Sequence, residues 1–264
     1  SPADCDDSVP GSSPRRSRFD VSHSSRFHLL RMSQTIFERA LDFVVDGTVV
    51  GLGSGRAARK FVELLGARVR DGLQVRGVAT SRATAELAAA VGVPLVEPHA
   101  GLALSVAVDG ADEVDPRLDL IKGYGRAMLR ERVVAASAKR FVILVGREKL
   151  VPRLGARGKL PLEVVPFAVP LCLERLRLLG CPGTLVVEDG RPLATDNGNH
   201  AVDCAVGEIA DPERLQRVLR SIPGVVDTGL FLRSADVVLV GDDETFALGS
   251  EMQRPTVDLP GAAP

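Results

Sequence analysis

The sequence predicts an α/β fold: a Rossmann-like parallel sheet flanked by helices, with a smaller α+β, ferredoxin-like subdomain inserted. Three observations carry this. Between Thr48 and Val145, short runs rich in Val, Ile and Leu alternate with stretches of helical period, the pattern of a parallel sheet buried on both faces. After Pro152 the rhythm changes, as Pro161, Pro166, Pro170 and Pro182 cut the chain into short segments. Ala235 to Val240 is then a buried-type strand that can rejoin the first sheet.

The elements follow in order. Thr35 and Glu38 form a capping-box pattern ahead of Phe37, Ala40, Leu41 and Val44 at helical spacing. Asp46-Gly47 is a turn, and Thr48 to Leu52 a short strand. Gly53-Ser54-Gly55 opens a helix carrying Ala58, Phe61, Val62 and Leu65. Val75 to Ala79 is a second strand, and Thr80-Ser81 caps a helix to about Ala90. Pro94 to Val96 and Leu104 to Val108 read as further strands, Arg126 to Lys139 as a helix and Phe141 to Val145 as a strand. In the proline-punctuated part, Leu162 to Val165, Thr184 to Val187, Ala201 to Val206 and Val225 to Phe231 read as strands. Leu171 to Leu179 and Pro212 to Ser221 read as helices. This divides the chain into a disordered extension (1–31), a main α/β domain (32–155 plus 232–250), a small α+β subdomain (156–231) and a loose tail (251–264).

Composition narrows the function classes. The 264 residues are 45% hydrophobic and 25% charged, an ordinary globular balance. A net charge of -1 argues against a nucleic-acid or membrane-surface partner, which would call for a basic excess. No Trp and a single Tyr leave little for stacking on bases. No apolar run approaches the roughly 20 residues that span a bilayer. The cysteines, Cys5, Cys172, Cys181 and Cys204, form no CxxC pair; Cys5 falls in the extension expected to be disordered, and the other three read as reduced thiols of a cytoplasmic protein. In the first 31 residues Arg15, Arg16 and Arg18 sit among serines, but Asp4, Asp6, Asp7 and Asp20 are wrong for an acid-poor transit peptide. A dispensable extension is the reading of that stretch.

Three constellations can carry chemistry. Gly51-Leu52-Gly53-Ser54-Gly55 follows a strand and opens a helix, which suits a phosphate or carboxylate. A dinucleotide loop is the rival; it wants glycine where Arg56 stands and an acid after the second strand, where Arg82 stands instead. Arg82 leaves a 2'-phosphate, and hence NADP, open, and a ligand-free tight turn is the third reading. Asp109-Gly110-Ala111-Asp112-Glu113 directly follows a strand. Carboxylates there can hold sugar hydroxyls, bind a metal, act as bases or form a solvated turn. Lys122-Gly123-Tyr124-Gly125-Arg126 can neutralise an oxyanion, and Glu131 follows in the next helix. Read alone, Glu131 is an ordinary surface residue.

Taken in order, these motifs resemble ribose-5-phosphate isomerase A. That family shows a Gly-rich loop after its first strand, a TS-type turn, a DGADE block and a KGGG-type loop with a TRE or LRE helix. A lysine after the next strand and a DNGN segment complete the set. Here they stand as Gly51 to Gly55, Thr80-Ser81, Asp109 to Glu113, Lys122 to Gly125 with Leu129-Arg130-Glu131, Lys149, and Asp196-Asn197-Gly198-Asn199. Ile222 to Val226 and Gly229-Leu230-Phe231 also match, so the resemblance runs from about Gly47 to Gly241.

The resemblance implies interconversion of ribose 5-phosphate and ribulose 5-phosphate in the pentose phosphate pathway. It implies no metal or organic cofactor, and a homo-oligomer, dimer or tetramer. Glu131 falls on the family's proton acceptor, with Asp109, Asp112 and Lys122 beside it. Ser54, Gly55, Arg56 and Ala57, then Asp109, Gly110, Ala111 and Asp112, then Lys122, Gly123, Tyr124 and Gly125, and finally Lys149, fall on substrate-binding segments. The chemistry suits these residue types. Aldose–ketose exchange wants one carboxylate serving both carbons of an enediol, its pKa raised towards neutrality by burial, and a cation such as Lys122 for the enediolate oxygen.

The chain departs from the family at Arg56 and Ala57, where Ser and Thr are usual, and at Tyr124 and Arg126, where small residues are usual. Two bulky side chains in a substrate loop suggest another sugar phosphate as an alternative. A non-catalytic sugar-phosphate-sensing module and an NADP-linked oxidoreductase are further alternatives.

Overall fold

The computed structural model describes residues 34–242 and 245–255. The extension expected over residues 1–31, and the tail from residue 256 onward, lie outside the described residues. Among the described residues no helix is long and apolar enough to cross a membrane.

The main sheet has six strands. They are β1 (Val49–Leu52), β2 (Arg76–Ala79), β3 (Val106–Gly110), β6 (Phe141–Gly146), β14 (Val237–Gly241) and β15 (Leu248–Gln253), in the order β15-β14-β6-β3-β1-β2. All neighbours run parallel except β15, which pairs antiparallel with β14. The alternation of strand side chains sends Val50, Leu52, Val108 and Leu144 to one face and Val49, Ala107, Ile143 and Val145 to the other. The first face is covered by α1 (Ile36–Leu41), α2 (Gly55–Arg70) and α3 (Arg82–Ala90), through Phe37, Phe61, Leu65 and Ala88. The second is covered by α4 (Met128–Ser137), through Met128 and Val134. α4 lies very close to β1, since a Cβ on Gly51 would stand 2.5 Å from Val134 Cγ1 and 2.7 Å from Ala107 Cβ.

A second sheet, β12-β7-β11-β8, is antiparallel throughout: β7 (Lys159–Val164), β8 (Gly183–Leu185), β11 (His200–Ala205) and β12 (Val225–Thr228). With α5 (Val169–Leu178) after β7 and α6 (Pro212–Arg220) after β11, the order is that of a ferredoxin-like βαββαβ unit. The short pair β9 (Val187–Glu188) and β10 (Arg191–Pro192) extends from it. Between the two sheets lies a small ribbon of β4 (Glu113–Val114), β5 (Leu120–Ile121) and β13 (Leu230–Phe231). Its Leu120 and Phe231 enter the core under the main sheet, and Ile121 and Leu230 enter the core of the small one.

Several expectations are corrected. Glu251 to Gln253, expected in a loose tail, close the main sheet as part of β15. Pro94 to Val96 makes a single bridge, Leu95 to Gly77, rather than a strand. Val225 to Phe231 is two strands in two different sheets, separated at Gly229.

Candidate active site

The chain's direction along the main sheet reverses between β1 and β3: α2 leads from β1 to β2 on one side, while β3 lies on the other. At such a switch point the loops leaving the strand ends part and leave a crevice. The loops after β1, β3 and β6 meet there around a cleft of about 160 Å³. Ser54, Gly55, Arg56 and Ala57 line it from one side, Gly110, Ala111 and Asp112 from the second, and Lys149 from the third. Lys122, Gly123 and Gly125 close it with Glu131.

The glycine loop sits tightly on β3. A Cβ on Gly53 would fall 2.2 Å from Asp109 Oδ1, so only glycine permits this approach. Asp109 Oδ1 then accepts the Ser54 and Gly110 backbone N–H groups at 3.0 and 2.7 Å. The Ser54 hydroxyl is 2.8 Å from Thr80 Oγ1 and donates to Ser81 Oγ at 3.0 Å. It is therefore turned towards the β2–α3 turn and makes no cap hydrogen bond at the start of α2. Gly55, at φ 85°, opens α2, and Arg56 follows it, exposed at the rim.

Lys122 leaves β5 held by its own N–H, which donates to Gly229 O at 2.9 Å. A side chain on Gly229 would meet Lys122 O at 2.3 Å, so glycine is needed there too. The Lys122 ammonium is 2% exposed and donates to Gly110 O. It lies 3.0 Å from Asp109 Oδ2 and 3.2 Å from Glu131 Oε2. Both oxygens are buried, and the Lys122 ammonium is the charge that offsets their burial. Glu131 belongs to the single buried stripe of α4, between Met128 and Val134, and is 4% exposed.

The electrostatics follow from this burial. Desolvation, and then the charge of Asp109, push the Glu131 carboxyl up to about 8 against the opposing pull of Lys122. Burial likewise raises Asp109 and Asp112. Burial lowers Lys122, but the charges of Asp109 and Glu131 outweigh it and hold the ammonium protonated well above its ordinary range. The result is one fixed cation beside a carboxyl that titrates near neutrality.

Not every expected residue faces the cleft. Asp109 lies beneath it, 2% exposed, with its oxygens committed to the glycine loop and to Lys122. Tyr124 turns its ring into the core of the small sheet, under the Lys159 ammonium at 4.0 Å. Only its backbone serves the site, donating to Asp112 Oδ2 at 2.9 Å. Arg126 also points away, donating to both oxygens of Asp203 at 2.6 and 3.0 Å. The two bulky departures from the family loop thus leave the cleft unaltered. Glu113, fully buried, accepts the Gly155 and Arg157 N–H groups at 2.6 and 2.8 Å and anchors that loop. Arg82, the residue that left NADP open, donates its backbone N–H to Asp196 at 2.7 Å and has that carboxylate 3.8 Å from its guanidinium. An acid stands where a 2'-phosphate would be read.

Sequence reasoning missed Glu148 and Phe246, which also line the cleft. Phe246 lies on the connection between β14 and β15, and nothing local marks it. Glu148, next to Lys149, carried a signal only through that neighbour.

The sequence profile described as Ribose 5-phosphate isomerase A (phosphoriboisomerase A) matches residues 76–245. The chain is 50% identical over 210 residues to the ribose-5-phosphate isomerase A of Roseiflexus castenholzii, covering 78% of this chain and 90% of that one. Among solved structures, a D-ribose-5-phosphate isomerase in complex with phospho-erythronic acid superposes with a TM-score of 0.78 at 37% identity, over 83% of this chain and 96% of that one. The ribose 5-phosphate isomerase A of Methanocaldococcus jannaschii superposes at 0.77 and 35% identity, over 86% and 99%. By sequence and by fold, the chain belongs to the ribose 5-phosphate isomerase A family.

Proposed function

We propose that this protein interconverts D-ribose 5-phosphate and D-ribulose 5-phosphate through an enediolate, as the proton-moving enzyme of that pentose phosphate step, with Glu131 as the base. The observation that carries the reading is the buried pair of Lys122 and Glu131, 3.2 Å apart, lining the same cleft as the start of α2 and Arg56. An aldose phosphate laid along it has its carbonyl end at the pair and its phosphate at Arg56. Glu131 takes the proton from the carbon beside the carbonyl and returns it to the former carbonyl carbon, while the hydroxyl proton passes between the two oxygens of the enediolate, so that carbonyl and hydroxyl exchange places. Lys122, kept charged by its two carboxylates, stabilises the oxyanion that forms between the two transfers. Asp112 reaches the cleft as a hydroxyl acceptor, Lys149 adds positive charge on the far wall, and Asp109 holds Lys122 and the Ser54 loop in place.

This assignment needs no group from outside the chain. The relative that binds phospho-erythronic acid supports a phosphorylated sugar skeleton as the ligand class. Cys172, Cys181 and Cys204 are buried free thiols, which accords with a cytoplasmic protein. A dimer or tetramer belongs to the same reading and is checked by light scattering.

Incubation with ribose 5-phosphate should yield the ketose and exchange solvent deuterium into the carbon beside the carbonyl. Glu131→Gln keeps the size of the side chain but cannot accept the proton. It should lower kcat by about 10² to 10⁴, with substrate binding changed far less. Near wild-type turnover by the variant would move the base elsewhere. Binding of ribose 5-phosphate without any turnover by the wild type would favour the sensing module.

A further inference from the structure

The DNGN-type segment, Asp196 to Asn199, contributes nothing to the cleft lining, yet it is tied to the helix that carries Glu131. Three arginines around that helix reach the small sheet. Arg126, just before α4 and in the left-handed region at φ 66°, grips Asp203 on β11. Arg132 pairs with Asp227 of β12 and donates to the Thr228 and Leu230 carbonyls at 2.7 and 2.9 Å. Arg130 reaches the DNGN-type loop, donating from Nε to Asn197 Oδ1 at 2.8 Å and from Nη2 to Asp196 O at 2.9 Å.

The loop is anchored from below by Glu163 of β7, which is fully buried. Its Oε1 accepts from Thr195 Oγ1 at 2.9 Å, Asn197 Nδ2 at 3.0 Å and Asn199 Nδ2 at 2.8 Å. The hydrophobic grip on α4 is thin, for Met128 and Val134 are the only buried apolar residues within it. Successive side chains on a helix diverge by about 100°. A hold on Arg130 therefore fixes the rotation of α4 about its axis, and with it the direction in which Glu131 points at Lys122.

We propose that Asn197 is a positioning residue for Glu131, acting through the Arg130 guanidinium and kept in register by the buried carboxylate of Glu163. The proposal rests on Glu131 being the base. It gives the small sheet a part in proton transfer that no substrate contact provides.

A polarity swap tests it. Asn197→Asp keeps an acceptor for Arg130 but sets a second carboxylate against Glu163. Adding Glu163→Gln removes the charge repulsion and, with its amide nitrogen where Oε1 now stands, donates to the introduced carboxylate, at the loss of the acceptor that Oε1 gives Thr195 and Asn199. Asn197→Asp should lower kcat about tenfold, with KM changed less than about twofold, because misaimed chemistry costs rate rather than binding. The acid limb of kcat/KM should move to lower pH, because a Glu131 that swings out of its seat loses the burial that raises it. The charged groups facing it, Lys122, Asp109 and Asp112, are unchanged in these variants. The double variant, rid of the repulsion, should be faster than the single and move the limb back towards the wild type.

Asn197 is exposed and outside the core, so the single variant should fold, which its melting curve checks. Should the double variant fold poorly, Arg130→Gln tests the other link and should show the same loss of kcat and the same shift of the limb. Unchanged kcat in Asn197→Asp or in Arg130→Gln overturns the proposal. So does a rise in KM with kcat intact, or a folded double variant no faster than the single. Glu131→Gln separates the two levels. If it turns over normally, the base assignment itself has failed. If it is dead while Asn197→Asp is unimpaired, only the positioning role has failed.

Discussion

Glu131 shows how far one residue's behaviour depends on its seat. A carboxylate that acts as a base must be ionised, and this one is half ionised only at about 8, because burial and the Asp109 charge oppose Lys122. The expected consequence is a kcat/KM for ribose 5-phosphate that falls about tenfold per pH unit on the acid side of that value. Lys122 stays protonated across the range, so the fall belongs to the carboxyl cluster of Glu131 and Asp109. A pH–rate profile checks this, and a plateau extending down to pH values near the ordinary carboxylate range would show that Glu131 works fully ionised. At this scale the sequence motif located Glu131 and Lys122 but not the direction of every side chain. Tyr124 and Asp109 stand in motifs beside the cleft, yet one faces the small core and the other lies under the loop. A motif records order along the chain; which way a side chain leaves a two-residue strand or a glycine turn is decided by packing.

Among the elements, α2 is built to meet an anion. Its first turn holds no acidic residue, and Ser54 supplies no side-chain cap, so the positive end of the helix is open to the cleft. Arg56 adds a full charge at the rim and has no ion pair or hydrogen bond among the described residues. Arg56→Ala should raise KM for ribose 5-phosphate by about tenfold, the size of one charge-assisted contact, and leave kcat nearly unchanged. Turnover of unphosphorylated ribose should not respond; equal effects on both sugars would leave Arg56 as a solvated rim residue. The longer elements were legible from a sustained helical period, as in α2, or from an unbroken apolar run, as in β6. The ribbon strands β4, β5 and β13 are two residues each and carry no period at all, although β5 delivers Lys122. β15, Leu-Gly-Ser-Glu-Met-Gln, lies at the sheet edge with mixed exposure, so it lacks the apolar run that betrays the central strands. Gly229 parts β12 from β13 within one β-rich stretch, and only the close approach to Lys122 O explains why the chain changes sheets there.

For the molecule as a whole, the site is a cost to the fold. Glu131, Asp109 and Asp112 all have folded-state pKa values above their ordinary ones. For Glu131 the window runs from 4.5 to about 8. Within it the unfolded chain has lost its proton while the folded chain still holds it, so the unfolded state binds fewer protons and stability falls as pH rises. Asp109 and Asp112 act in the same direction from 3.8 upwards. Lys122 has the opposite sign of charge and a raised folded value, so its contribution is fully present below its ordinary 10.5 and does not vary in this window. Glutamine is the neutral isostere of a protonated glutamate. Glu131→Gln should therefore melt close to the wild type near pH 5, where both side chains are neutral in the folded protein. As pH rises towards 9 the wild type should lose stability more steeply, and the variant should become the more stable of the two, the usual direction of a stability–activity trade-off. Thermal melts of both proteins across that range check it. A gap between them that does not change with pH would mean that Glu131 carries no excess proton in the folded state, and that the Lys122 contact alone meets the cost of burying its charge.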